Sequence, residues 1–360
     1  MDSVNNKNFL CVVYVLFVLF STIHTLNNFS IYSEESHVQY CLCVPFWQCK
    51  EDFSGLDDNG LGVDVRERSS RPRSFSSCTG DLDVCCNVEC GKKGNTVAPI
   101  VNKKIDKRIL GDATIAEFAE FPWMLGILKG RVYKCGASLI HPKVSLTAAH
   151  CVSSPGDYVI RAGEWHWERQ TEPLPHQDRD VDNIIIHEDF HPRSLQYDIA
   201  LIILKKPFKL TRNVGIICLP QGIPKVNLSH CVVTGWGKNS FRKGTYQPVL
   251  KKVVLPVISR SKCTEILQNV RLGPMFTLHD SFICAGGETN KDACKGDGGG
   301  PLICSLEGKP QRYQQVGIVS WGLTCGMSYA PGVYVNLVMF SEWIDKKMIE
   351  HKLDIDIYKH

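Results

Sequence analysis

Asp292-Ala-Cys-Lys-Gly-Asp-Gly-Gly-Gly-Pro-Leu-Ile303 is a turn-rich stretch that runs into an apolar segment. Gly298, Gly299 and Gly300 follow Asp297, and Pro301 ends the turn before Leu302 and Ile303. Two upstream segments stand out beside it. Leu146-Thr-Ala-Ala-His150-Cys151 carries a histidine, and Tyr197-Asp198-Ile-Ala-Leu201 carries an acid, each among small or apolar neighbours. The chain order is therefore histidine, aspartate, glycine-rich turn.

Around these segments lies the composition of a folded, exported protein. At 360 residues the chain is long enough for two domains or one large one. Its 44% hydrophobic and 22% charged content is that of a globular protein. Lys and Arg total 41 against 37 Asp and Glu, a net +4 that is too small for a nucleic-acid binder. No phosphate-cradling glycine loop precedes a helix. Lys7 and the apolar run Phe9 to Phe20, with small or polar residues from Ser21 to Thr25, read as a signal peptide over 1–25 or as an uncleaved anchor. Of the 17 cysteines, Cys11 leaves with the signal. An even number remains, which suits full pairing outside the cell.

From Ile109 to about Lys352 the chain reads as short strands separated by turns. Val132–Leu139, Ile184–His187, Ala200–Leu204, Val316–Trp321 and Gly332–Asn336 are β-branched or aromatic-rich and bounded by Gly, Pro, Asn or Ser. An all-β fold is expected. Helical spacing arises only near the end, where Phe340, Trp343, Ile344 and Met348 fall within Phe340–Ile349.

The glycine-rich turn resembles the nucleophile loop Gly-Asp-Ser-Gly-Gly-Pro of the chymotrypsin-like serine proteases, with Gly298 in the place of the serine. Gly296, Asp297, Gly299, Gly300 and Pro301 match it. The segments at His150 and Asp198 resemble those carrying the family's other two triad members, in the chymotrypsin chain order. The resemblance implies a double β-barrel closed by a carboxy-terminal helix. It also implies a degenerate triad of His150, Asp198 and Gly298, with no functional catalytic residue. Acyl transfer needs an oxygen or sulfur nucleophile, and glycine has none. Ser305, beyond Cys304, is expected not to reach His150.

Further roles follow from the same resemblance. Asp292, six residues before Gly298, with Gly322 and Gly332, matches the pocket that receives arginine or lysine, here either open or blocked by a loop. Backbone N–H groups of Gly296 and Gly298 match the oxyanion donors. Lys107-Arg108-Ile109 resembles a zymogen junction, whose new amino group at Ile109 would bury against Asp297. The bland alternative is a dibasic site nicked without consequence. Glu164 begins a segment resembling the calcium loop of some members, without recognisable later ligands; no other cofactor is implied. The family pattern pairs Cys90–Cys218, Cys135–Cys151, Cys231–Cys304, Cys263–Cys284 and Cys294–Cys325. Sequons stand at Asn28 and Asn227.

Upstream, residues 40–87 hold six cysteines in a segment too short to bury an adequate core alone. Cys43-Val-Pro-Phe-Trp-Gln-Cys49 with the adjacent Cys85-Cys86 resembles the arthropod clip domain. That implies the pairs Cys41–Cys85, Cys43–Cys78 and Cys49–Cys86. Arg66, Arg68, Arg71 and Arg73 lie in a loop that is either a cleavage target or simply solvated. Residues 88–108 read as a linker, 109–352 as the protease-like domain and 353–360 as a tail. The whole resembles a clip-domain serine protease homologue. This implies secretion into haemolymph or venom, and prophenoloxidase or cascade proteases as partners, with a possible oligomer after cleavage. The role is a cleaved cofactor, a decoy inhibitor or a microbial-surface module; the sequence leaves all three open.

Overall fold

The computed structural model describes residues 41–45, 49, 83–94, 114–169, 171–238, 244–288, 296–323 and 330–360, all within one unit, Tyr40–His360. The signal-like segment, Asn28, the Arg66–Arg73 loop, Cys78, Arg108, Ile109, Asp292, Cys294 and Cys325 lie outside the described residues, as does the side chain of Cys41.

In the clip-like segment, β1 (Cys41–Pro45) and β2 (Asp83–Asn87) pair antiparallel, with Cys43 opposite Cys85. Cys49 is bonded to Cys86. The two-residue β3 (Thr114–Ile115) opens the larger fold. Six strands then form a closed barrel: β4 (Met124–Lys129), β5 (Val132–His141), β6 (Val144–Thr147), β7 (Tyr158–Ala162), β8 (Gln177–Ile186) and β9 (Ala200–Leu204). Their hydrogen-bonded order is β4-β5-β6-β9-β8-β7. Closure removes the exposed edges that an open sheet would carry. The sequence Ala-Leu-Ile-Ile-Leu of β9 is buried throughout, as its unbroken apolar run demands.

The second half is an eight-stranded antiparallel sheet. Its strands are β10 (Val226–Gly235), β11 (Lys251–Leu255), β12 (Val257–Ile258), β13 (Phe282–Gly286), β14 (Pro301–Leu306), β15 (Lys309–Trp321) and β16 (Pro331–Asn336). With β3 they run in the order β12-β13-β16-β15-β14-β10-β11-β3. Hydrogen bonding leaves this sheet an open half-barrel whose outermost strands, β3 and β12, are two residues each. The two halves make the mostly-β architecture expected above.

One helix was not legible. α2 (Arg260–Leu267) is capped by Ser259, whose Oγ accepts from Lys262 N–H, and buries only Cys263 and Leu267. Two apolar residues one turn apart are too few to set a period. α3 (Leu337–Glu350) buries Leu337, Phe340, Ile344 and Met348, a stripe at helical spacing. Residues 353–360, read as a tail, are packed. Tyr358 is 0% exposed; its hydroxyl donates to Asp345 at 2.6 Å, and its carbonyl accepts from Leu219 N–H at 3.0 Å.

Under that segment, at the end of β5, His141 is fully buried, and its Nδ1 accepts from Lys143 N–H at 3.0 Å. Burial holds its imidazole down at about 4, against a weaker upward pull from Asp354. The unfolded chain, with an ordinary histidine near 6.5, therefore binds more protons between those values. Stability rises with pH across that window and is lost on acidification, by about 3 kcal/mol when pH 4 is reached. Urea unfolding at pH 4 and pH 7 should show that difference, and His141→Asn should flatten it.

Candidate functional site

Three elements from the two halves meet at one place. β6 ends at Thr147 and the chain turns into the one-turn helix α1 (Ala149–Val152), which carries His150. Cys151 on the same turn is bonded to Cys135 of β5, so the histidine turn is stapled to the barrel. Asp198 stands two residues before β9 and is 0% exposed. The loop leading to it holds Leu195 and Tyr197 at φ of 56° and 55°, left-handed conformations that cost about 1–3 kcal/mol each in bulky residues. The ring of Tyr197 stacks on His187, with centroids 5.1 Å apart, and its N–H donates to Ser281 Oγ at 3.3 Å.

Asp198 anchors the arrangement. Its Oδ1 accepts from His150 N–H at 2.8 Å, and its Oδ2 pairs with His150 Nδ1 at 2.7 Å. Ser320 Oγ in β15 donates to the same Oδ2 at 2.6 Å. Ser320 was not singled out from the sequence; its only signal is its place before Trp321-Gly322. Nε2 of His150 therefore faces away from the acid, towards the glycine-rich turn, and the imidazole remains partly open at 29% exposure.

At that turn there is no side chain to meet it. A Cβ built on Gly298 would lie 2.9 Å from His150 Nε2. Gly298 is not among the residues at positive φ, so its backbone does not demand glycine. The turn itself is fixed by its backbone. Gly298 carbonyl accepts from Gly136 N–H at 2.9 Å, Gly299 N–H donates to Val319 at 2.8 Å and Gly300 N–H to Asp297 at 2.9 Å. Tyr133 hydroxyl donates to the Gly296 carbonyl at 2.9 Å. Burial, together with Asp297 and Tyr246, pushes that phenol well above its ordinary value, so it stays a donor. Asp297 Oδ1 accepts from Gly237 N–H at 2.8 Å.

The other expected positions are distributed as follows. Gly322 is exposed just past β15, and Gly332 is buried in β16 opposite Ala285; Asp292, the third pocket residue, lies outside the described residues. Ser305 lies in β14 opposite Tyr313, beyond the turn. Asn227 is exposed, its Oδ1 accepting from Ser229 N–H at 3.1 Å. The disulfides Cys90–Cys218, Cys231–Cys304 and Cys263–Cys284 are formed.

Glu164 is held by one cation, one imidazole and two backbone donors. Its Oε2 meets Arg161 Nη1 at 3.2 Å and His176 Nδ1 at 3.5 Å, while Oε1 accepts from the N–H groups of Trp165 and His166. Among the described residues the only clustered set of three ligand-type side chains is Cys135, His150 and Cys151, and its two sulfurs are bonded to each other.

Comparison with known proteins agrees with this geometry. The trypsin family model matches residues 112–344. The chain is 45% identical over 269 residues to phenoloxidase-activating factor 2 of Galleria mellonella, covering 70% of this chain and 89% of that protein. It is 37% identical over 277 residues to inactive CLIP domain-containing serine protease A28 of Anopheles gambiae, covering 74% and 70%. Inactive CLIP domain-containing serine protease A3 of Aedes aegypti is 37% identical over 330 residues, covering 85% of this chain and 66% of that protein.

Proposed function

The chain belongs to the trypsin family, and from that premise we propose that it is a secreted, non-catalytic cofactor of the protease cascade that activates prophenoloxidase. One observation carries the reading. An oriented base, His150 held by Asp198, which itself accepts from Ser320, faces a residue at 298 that has no side-chain atom to deprotonate. The charge-relay frame is kept and the nucleophile is gone, which is the pattern of a scaffold retained for binding. The names of the relatives, one a phenoloxidase-activating factor and two inactive CLIP proteases, support the same reading.

In this account an upstream trypsin-like protease cuts after Arg108. The amino group of Ile109 then buries against Asp297, and the processed protein binds prophenoloxidase or its activating protease. Asp292, with Gly322 and Gly332, offers a basic side chain of the partner a charge-assisted seat. Adding cut and uncut protein to prophenoloxidase with its activating protease tests this. Faster appearance of phenoloxidase with the cut form is expected. Dose-dependent suppression identifies a decoy instead, and no effect of either form removes the cascade role.

A further inference from the structure

Residues 88–94, read from the sequence as the start of a linker, are built into the protease-like domain. Cys90 is buried and bonded to Cys218. Gly91 N–H donates to the Ile216 carbonyl at 2.7 Å, and Gly91 carbonyl accepts from Tyr313 N–H at 2.7 Å. Lys93 N–H donates to the Gln311 carbonyl at 2.9 Å and Gly94 N–H to that of Glu120 at 3.2 Å. Arg312 Nε donates to the Cys90 carbonyl at 3.0 Å. The segment thus pairs with β15 through a single antiparallel bridge, Lys92 opposite Arg312. Its approach is too close for a side chain. A Cβ on Gly91, at φ +71°, would lie 2.0 Å from the Tyr313 carbonyl oxygen, and one on Gly94 would lie 1.9 Å from that of Ala119.

The side chain of Lys93 adds a charged contact. It meets Glu120 Oε1 at 2.8 Å, and Lys252 of β11 meets the same carboxylate at 2.6 Å. Glu117 N–H donates to Oε2 at 2.7 Å. Glu120 is 1% exposed. Burial alone would raise its carboxyl, but the Lys252 and Lys93 contacts outweigh that and hold it below its ordinary value. Glu120 lies on the carboxy-terminal side of Arg108 and Lys93 on the amino-terminal side.

We propose that Cys90–Gly94 is a non-covalent clamp. After a cut at Arg108 the amino-terminal fragment stays seated on β15 and Glu120 without help from the Cys90–Cys218 disulfide. The occupant of this surface is the chain's own segment, and the clamp matters to the proposed function only if that junction is cut. Antiparallel bridging supplies the backbone bonds, and Lys93–Glu120 supplies a charge-assisted one. Because Lys252 continues to neutralise Glu120, losing Lys93 strands no buried charge.

The test uses the full chain carrying Cys90→Ser and Cys218→Ser, cut with trypsin without reductant and run on gel filtration at neutral pH. Lys103, Lys104, Lys107 and Arg108 all follow Gly94, so a cut at any of them poses the same question. Co-elution of the amino-terminal fragment is expected. Lys93→Ala should weaken retention about tenfold, Glu120→Gln at least as much, and Gly91→Ala should abolish it. Lys93 is 25% exposed, so its truncation leaves folding intact, whereas a Cβ at Gly91 also strains the backbone against Tyr313. Prompt separation of the fragments in the serine pair overturns the clamp, as does retention unchanged by Lys93→Ala and Glu120→Gln. The phenoloxidase assay uses protein with its disulfide intact, so each reading fails independently of the other.

Discussion

Gly298→Ser, once processed, is expected to hydrolyse an arginyl ester about 10⁴–10⁶ times faster than the unaltered protein. The scale is that of nucleophile loss in subtilisin, about 2 × 10⁶ in turnover, reduced for a site not tuned for the reaction. The physical case rests on what is already in place. The imidazole is held by Asp198 at 2.7 Å with Nε2 turned to position 298. The backbone there accepts an L side chain without entering the left-handed region. The new Cβ would come within 2.9 Å of Nε2, so the ring must retreat by a few tenths of an ångström, which a partly open imidazole can do. Gly298→Ala brings the same Cβ without the hydroxyl and should stay silent. An ester assay on the three proteins decides it. A folded, processed Gly298→Ser protein with no gain would mean that more than a hydroxyl has been lost.

Asp198→Ala is expected to cost about 3–5 kcal/mol of stability, since each buried donor left without its acceptor costs about 1–3 kcal/mol. Its carboxylate accepts from His150 N–H, His150 Nδ1 and Ser320 Oγ, and truncation leaves these donors without their acceptor in a buried place. For a domain of this size that corresponds to a melting temperature lower by roughly 10 °C, read by calorimetry. In a working protease the first symptom of this substitution is lost turnover. Here it is a weaker fold, because the acid has only packing and orientation left to do. Asp198→Asn keeps the shape and should cost less.

How far the sequence spoke depends on the kind of signal each element leaves. The turn at Gly298 and the segments at His150 and Asp198 were legible because chemistry fixes residue types at fixed spacings. β9 was legible because a run of five apolar residues has few other uses in an all-β chain. The polar first seven residues of β8, Gln177–Asn183, were not, because the Asp residues among them face solvent and only the apolar end, Ile184–Ile186, looks like a strand. Ser320 was passed over since one serine beside Trp321 carries no pattern until Asp198 is brought to it across the two halves. The docking of Gly91 and Gly94 was hidden for a related reason. Glycines in a polar stretch read as freedom, whereas here they permit the approach of Tyr313 and Ala119.

The account is tested most directly by active-site titration of the unaltered, homogeneous, processed protein with a chromogenic arginyl ester. It predicts no stoichiometric burst and no turnover above buffer, because no side-chain atom at 298 can be acylated. A burst approaching one equivalent, followed by steady hydrolysis that depends on His150, would contradict it.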